Sequence, residues 1–361
     1  MLLQQLKLIQ FKSYQEADFL FEGRITAITG KNGIGKTNLL DALHHLSLAR
    51  SLFHKQDALN ILHSCLFYRL DARLSDNDLS TRLEIVYTPE EKKKITWNGG
   101  QVEKISDHVG RLPLVYILPD EPFLMNESAE WRRNFIDNTF SQAFPKYLFH
   151  LSRYKKQLNH RNATLKYFAD RQRVDYTLLQ TLDEELSKEG IIVFEFRKKY
   201  VPILNSYFKL QYQFLSDGAE DARIEYQSEL LNFDFSELFL KTRAADLESQ
   251  RSNSGVHKDD FLYLFDNKSI KKFGSQGQLK TFLLSLKLAQ YQFLKEEKGQ
   301  KPWLLLDDIF DKLDDIRIQR LIEKIAEPEM GQVFLTDARE ERSRQLLQQC
   351  GFPFQILRIK H

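Results

Sequence analysis

The chain has 361 residues but only two cysteines, Cys65 and Cys350. They lie far apart, in apolar stretches with no Cys or His at metal-ligand spacing, which argues against a disulfide framework or a zinc site and favours a reducing, cytoplasmic setting. Long hydrophobic runs are missing too. Even Leu304-Leu305-Leu306 is stopped by Asp307-Asp308, far short of the roughly 18 apolar residues that a membrane-spanning helix needs. The opening Met1-Leu2-Leu3-Gln4-Gln5-Leu6-Lys7 has no basic segment leading into an apolar run, so it reads as a first strand rather than a secretion signal. Charge shows no overall bias, with 52 Lys and Arg against 50 Asp and Glu. Glycine (15) and proline (9) are sparse, whereas 27 Phe, 14 Tyr and 3 Trp supply bulk for a sizeable core, which excludes a disordered or fibrous chain. At about 150 residues per domain, this length predicts two domains.

Leu6 and Leu8, then Ala17, Phe19 and Phe21, alternate with polar residues and predict two strands joined by a turn near 13–16. Residues 24–29 form a β-branched run ending at Gly30, and Leu39, Leu40, Leu43 and Leu46 follow at helical spacing, so the local order is strand, glycine loop, helix. Strand-like segments around 67–70, 83–87 and 95–97, the last before Asn98-Gly99, predict an antiparallel meander. Residues 127–207 carry helical periodicity broken near Pro145, 171–174 and Pro202. Strand texture resumes at about 208 and is clear at 261–265. A helix then fills about 276–297, a strand 303–306, a helix 316–326, a strand 333–336, a helix 338–349 and a last strand 354–359. The simplest plan is an α/β head, residues 1–119 and 208–361, interrupted by a helical arm, residues 120–207.

Gly30-Lys31-Asn32-Gly33-Ile34-Gly35-Lys36-Thr37 matches G-x-x-x-x-G-K-[ST] in full, between a predicted strand and a predicted helix. Glycines let the backbone wrap phosphate oxygens, the loop N–H groups and helix N-terminus supply positive potential, Lys36 reaches the β and γ phosphates and Thr37 coordinates Mg²⁺. A chance match in a chain this long arises on the order of once in a hundred, and the flanking elements lower that further. The expected ligand is a nucleoside triphosphate with magnesium. Trp303-Leu304-Leu305-Leu306 then delivers Asp307 and Asp308 at a strand's C-terminal end, where α/β sheets bind ligands. Asp307 is the candidate for holding Mg²⁺ and Asp308 for polarising the attacking water. Between these motifs lies Phe273-Gly274-Ser275-Gln276-Gly277-Gln278, which reads either as an ordinary helix start or as another anion site.

The near-neutral total conceals a local excess. Residues 131–173 hold ten Lys or Arg and only two acids, Asp137 and Asp170. Such a segment can neutralise several phosphates and bind a polyanion without reading its sequence, although a solvated helix face is the ordinary meaning of an isolated run. Arg132, Arg133, Lys155, Lys156 and Arg161 are the candidate DNA contacts; the alternative for Arg132, Arg133 and Arg161 is structural pairing with Asp137 and Asn162. Tyr147, Phe149, Tyr154 and Tyr167 recur at roughly helical intervals and read as arm core rather than as a base-stacking platform.

Ser275-Gln276-Gly277-Gln278, ahead of a strand that continues Asp307-Asp308-Ile309-Phe310-Asp311-Lys312-Leu313-Asp314, is similar to the signature, Walker B and D-loop series of ABC-type ATPase heads. More narrowly, the chain resembles the RecF family of bacterial recombination mediators. The resemblance rests on Phe11-Lys12-Ser13-Tyr14, the glycine loop, residues 132–137, 154–162 and 255–260, Ser275 to Gln278, and Leu304 to Asp314. Lys12 stands where the family usually has Arg, Val256 where it has Pro, and Thr336-Asp337 where ABC transporters carry a switch histidine.

This resemblance implies an ABC-type, SMC-like ATPase head with an inserted arm, binding ATP and Mg²⁺. Ser275, Gly277 and Gln278 of one copy would cap the nucleotide of another, so that ATP closes a homodimer on DNA at single-strand gaps and hydrolysis releases it. Partnership with RecR and RecO, loading of RecA, gap repair, replication restart and the SOS response follow as expectations. An SMC protein proper would need sustained heptads and a hook Cys-x-x-Cys, and the chain has neither. A small-molecule kinase or transporter ATPase would hydrolyse nucleotide indifferently to DNA.

Overall fold

A computed structural model describes residues 1–76, 79–119, 121–122, 125, 128–216, 221–311, 313–349 and 351–360. Cys350, and Lys312 of the D-loop-like stretch, lie outside the described residues. The chain forms two compact units, residues 1–122 with 283–361, and residues 123–282.

The first unit contains two sheets. Strands β1 (Leu2–Phe11) and β2 (Tyr14–Leu20) form a hairpin, which β4 (Tyr68–Asp76), β5 (Leu79–Thr88), β6 (Lys92–Trp97) and β7 (Gly100–Gln101) extend in the antiparallel order β2-β1-β4-β5-β6-β7. The β6–β7 turn is Asn98-Gly99, with φ of 49° and 82°; positive φ at both positions is what a tight two-residue hairpin requires. The second sheet is parallel: β14 (Phe354–Arg358), β3 (Ile25–Thr29), β13 (Val333–Asp337), β12 (Trp303–Leu306) and β8 (Leu114–Ile117), in that spatial order. Every residue of β3, β12 and β13 is buried, which explains their continuous apolar or β-branched runs in place of alternation. Helix α1 (Lys36–Leu48) buries Leu39, Leu43 and Leu46 in one core with Leu6, Leu8 and Phe11 of β1, Leu70 of β4, Leu305 of β12 and Phe334 of β13.

In the second unit, helices α2 (Ala129–Ala143), α3 (Pro145–Arg171) and α4 (Tyr176–Ser216) are joined by short breaks. Pro145 opens α3 at its first turn, where a missing N–H costs nothing. Pro202, read as a break, instead lies inside the 41-residue α4. Its side chain faces solvent, so water can satisfy the carbonyl one turn earlier that a proline leaves without a donor. Strand texture does not resume at 208 either. Leu204, Phe208, Gln211, Tyr212 and Leu215 are buried at helical intervals to the end of α4, and aromatic richness had mimicked strand preference there.

The unit also runs on to Phe282 instead of ending at 207. Among the described residues, strands β9 (Ala222–Gln227), β10 (Asp260–Phe265) and β11 (Lys268–Ser269) pair only with one another, and β9 packs on α4. Helix α5 (Phe235–Ser249) and the short α6 (Ile270–Phe273) complete it, and α7 (Gln276–Lys298) carries the chain back into the first unit. There, Glu121 and Lys287 sit beside the chain's exit and return and form a buried pair at 2.7 Å. Helices α8 (Asp315–Ala326) and α9 (Glu340–Gln348) flank the C-terminal strands.

Candidate nucleotide-binding site

The loop between β3 and α1 adopts backbone angles that glycine accepts most readily: φ is 153° at Gly30, 80° at Gly33 and 114° at Gly35. At Gly35 space is restrictive as well, since a Cβ would lie 2.9 Å from the Tyr14 hydroxyl oxygen. Lys36 is 5% exposed. Its Nζ donates to the Gly30 carbonyl at 2.8 Å, the Lys31 carbonyl at 3.2 Å and Asn32 Oδ1 at 3.4 Å, which holds the ammonium over its own loop.

The Phe11-Lys12-Ser13-Tyr14 stretch braces this loop from the β1–β2 turn. Tyr14 Oη donates to the Gly35 carbonyl at 3.0 Å, Asn38 Nδ2 donates to Ser13 Oγ at 2.8 Å, and the Lys12 ammonium pairs with buried Asp41. The motif therefore fixes the first turns of α1, a role that its spacing to the loop did not announce.

Strand β12 pairs with β13 on one side and β8 on the other, placing Asp307 and Asp308 at the sheet's C-terminal edge beside the glycine loop. Thr37 Oγ1 lies 3.2 Å from both carboxylate oxygens of Asp307. Thr336 Oγ1 donates to Asp307 Oδ1 at 2.7 Å and accepts the backbone N–H of Asp308 at 2.9 Å. Asp308 has φ of 42°, a left-handed conformation that aspartate tolerates better than most residues. Burial pushes the Asp307 carboxyl above its ordinary value and the charge of Asp308 adds to this, opposed by hydrogen bonds from Thr336 and Thr37 and by the Lys36 charge. A carboxylate disfavoured in this way gains from a cation at the site. The oxygens of Thr37 and Asp307 are the hard donors that Mg²⁺ takes.

Asp337 faces elsewhere. Arg342 Nη2 donates to Asp337 Oδ1 at 2.7 Å and Ser343 Oγ to its Oδ2 at 2.8 Å. Burial opposes its ionisation, but these partners hold its carboxyl below the ordinary value.

In the second unit, Ser275 caps α7. Its Oγ accepts the N–H of Gln278 at 3.2 Å, while its own N–H donates to Gln278 Oε1 at 2.7 Å. This reciprocal pair is a capping box, with Ser275 exposed at the start of a 23-residue helix and Gly277 in its first turn. Of the two sequence readings of this segment, the structure shows the helix start.

The candidate DNA contacts separate sharply. Arg161 is fully buried: Nε donates to Asp183 Oδ1 at 2.6 Å and Nη1 to Ser252 Oγ at 2.8 Å, and Nη1 lies 2.8 Å from Asp246 Oδ2. Its guanidinium cannot reach a DNA backbone, which corrects its assignment; its partners are acids distant in sequence rather than Asp137, and neighbouring Asn162 bonds Ser252 instead. Arg132 makes a two-pronged contact with Asp260 at 2.8 Å for both bonds, and Arg133 donates to the Asp259 carbonyl at 2.8 Å. Lys155 is half-exposed, 3.4 Å from Asp137 Oδ2, and Lys156 is exposed. Of the aromatics read as core, Tyr147 and Tyr154 are buried, whereas Phe149 and Tyr167 stand in solvent.

Arg197 was missed from sequence, having no motif around it. It is 1% exposed and ties Asp137, Asp259, Tyr147 and the Val256 carbonyl together at 2.7–3.1 Å. Tyr154 Oη lies 2.7 Å from His257 Nδ1 nearby. Segments 132–137, 154–162 and 255–260 thereby converge on one network beside a polar cavity of about 240 Å³, lined by Arg133, Asn134, Tyr154, Lys155 and His257 among others.

The family model for the RecF/RecN/SMC N-terminal domain matches residues 2–355. The chain belongs to the RecF family. It is 38% identical over 357 residues to the DNA replication and repair protein RecF of Flavobacterium johnsoniae, covering 99% of each chain. It is 40% identical over 343 residues to that of Cytophaga hutchinsonii, covering 95% of this chain and 91% of the relative. A solved structure of the recombination mediator protein RecF with ATP, in the RecFOR pathway, aligns with a TM-score of 0.86 at 26% identity, covering 94% of this chain and 92% of the other. An SMC head bound to the C-terminal winged-helix domain of ScpA shares the fold at a TM-score of 0.53 and 16% identity, covering 97% of this chain and 92% of that chain. The RecF architecture is thus an ABC-type, SMC-like ATPase fold, and the helices of the second unit form its arm region. Among the described residues no helix is long and apolar enough to cross a membrane.

Proposed function

We propose that this chain is an ATP-dependent DNA-binding protein of recombinational gap repair, in which nucleotide state decides whether two copies hold DNA. The observation that carries the reading is the meeting of Thr37 with Asp307 across 270 residues, beside a lysine held over a glycine loop. The names of the RecF relatives support the DNA side, and the solved ATP-bound RecF supports the nucleotide.

On this reading the ATPase head comprises residues 1–122 with 283–361 and the arm residues 123–282, a longer arm than the sequence suggested. Residues 30–37 bind the triphosphate, with Lys36 toward its β and γ phosphates. Thr37 and Asp307 would hold Mg²⁺, which when bound neutralises phosphate charge. Asp308 orients water and accepts a proton at its carboxylate. Thr336, bonded to both aspartates, and not Asp337, reports the γ-phosphate. Ser275, Gly277 and Gln278 act on the nucleotide of a second copy. Hydrolysis is weak and DNA-stimulated, a switch rather than metabolic turnover. In the cytoplasm the ATP-held dimer works at duplex next to single-strand gaps, with RecR and RecO, toward loading RecA in gap repair, replication restart and the SOS response.

ATPase rates with and without gapped duplex at two salt concentrations test this. DNA stimulation that weakens with salt supports it; a rate indifferent to DNA favours a DNA-independent P-loop ATPase.

A further inference from the structure

The second unit carries a surface that the nucleotide site does not use. On α3, the residues Phe149, Arg153, Lys156, His160, Tyr167 and Arg171 follow one another at intervals of 4, 3, 4, 7 and 4. At 3.6 residues per turn these steps keep them on one side of the helix. The opposite side holds the buried Tyr147, Leu151, Tyr154, Leu165 and Phe168. Phe149 and Tyr167 are 51% and 54% exposed. Each ring has an arginine one turn along over its face, Arg153 at 5.4 Å from the centroid of Phe149 and Arg171 at 5.4 Å from that of Tyr167.

Charge on this helix is mainly basic, the one acid being the exposed Asp170 beside Arg171. Arg153 pairs with Glu189 of α4 at 2.6 Å. Lys156 and Arg171, with Lys146 and Lys166 on the same helix, make no salt bridge among the described residues. Two half-exposed ring and guanidinium pairs, with cations between and around them, make a surface suited to a polyanion that also offers flat apolar faces. A duplex offers its phosphates but keeps its bases stacked inside, so it would use the cations and leave the rings idle. An unpaired strand offers both, and ring and arginine faces accept any base.

We infer that this side of α3 binds single-stranded nucleic acid, with Phe149–Arg153 and Tyr167–Arg171 as two stacking platforms. About 27 Å of helix separates the two rings, so one strand of several nucleotides can engage both. The inference rests on the DNA-binding reading above and names the strand that the arm holds beside the duplex.

The test uses the full-length chain with ATP and Mg²⁺, a fluorescein-labelled oligothymidine long enough to span the helix, and a duplex of equal length. Phe149→Ala and Tyr167→Ala should each weaken single-strand binding about fivefold or more and leave duplex affinity unchanged. Phe149→Trp should restore binding, and 2-aminopurine placed in the strand should be quenched by the native chain and less by the double alanine variant. Both positions are on the surface, so unchanged thermal midpoints are expected. Equal loss on single strand and duplex, or no loss on either, overturns the platforms; the second result would mark the face as one for a protein partner. If duplex binding by the native chain still requires ATP, the DNA-binding reading survives that failure. If neither DNA binds with ATP, both fall.

Discussion

Thr336 accepts the backbone N–H of Asp308 through its side-chain oxygen at 2.9 Å, and the same hydroxyl donates to Asp307 at 2.7 Å. One hydroxyl thus fixes the strand-end carboxylate beside Thr37 and the left-handed backbone that turns Asp308 out of the strand. Thr336→Val keeps the shape and removes both bonds, leaving a partly buried N–H without a partner at a cost of about 1–3 kcal/mol. Hydrolysis at saturating ATP should fall about tenfold or more, that being the effect of about 1.4 kcal/mol on a barrier. Thr336→Ser should retain most of the rate. Equal loss in both variants would show that the hydroxyl is not what matters.

Asp308→Asn keeps the size of the side chain and the backbone contact to Thr336 but removes the carboxylate. Calorimetry should give an ATP affinity within about threefold of the native chain, a margin of under 1 kcal/mol, while turnover is lost and the protein's lifetime on DNA lengthens. Normal turnover would move the general-base role to another group.

Arg161 and Lys156 belonged to one basic run in the sequence, and the structure divides them. Arg161→Ala would leave Asp183 and Asp246 without their buried cation, which typically costs about 3–5 kcal/mol and should appear as a large fall in thermal midpoint. Lys156→Ala should change stability by under about 0.5 kcal/mol. It should instead lower the slope of log affinity against log salt by about one. The reverse pattern would contradict the division.

The glycine loop, the strand-end aspartates and most head elements were legible because their signals are local. The Gly30–Thr37 spacing and the all-buried runs of β3, β12 and β13 each depend on a few consecutive residues. The extent of the arm was not legible, since β9 to β11 join it through pairings and through Asp259 and Asp260, which contact Arg197 and Arg132 more than 60 positions away. Arg161 was misread for the same reason: a buried arginine and a solvated one look alike until Asp183 and Asp246 are seen to meet it. Phe149 and Tyr167 were assigned to the core because aromatic recurrence alone does not say which side of a helix faces in.

Acidification should destabilise the chain through its buried imidazoles. Burial lowers His44, His108 and His257 from 6.5 to about 4. Between those values the unfolded chain binds protons that the folded chain refuses, so their contribution is present above about pH 6.5 and is lost as the pH falls toward about 4, by up to about 1.4 kcal/mol per pH unit for each. The raised carboxyl of Asp307 acts with the opposite sign. Urea unfolding at pH 7 and pH 5 should show the fall, and His108→Gln should make it shallower; a steeper dependence in that variant would refute the assignment.

On the function proposed above, nucleotide at Gly30 to Thr37 governs the hold on DNA. Fluorescence anisotropy with a gapped duplex, measured with ATP, with ADP and without nucleotide, addresses it directly, with Lys36→Ala alongside. Tight binding with ATP alone, lost in Lys36→Ala while its thermal midpoint stays near the native value, is the predicted result. Equal affinity in all three nucleotide conditions, or undiminished ATP-dependent binding by Lys36→Ala, would contradict it.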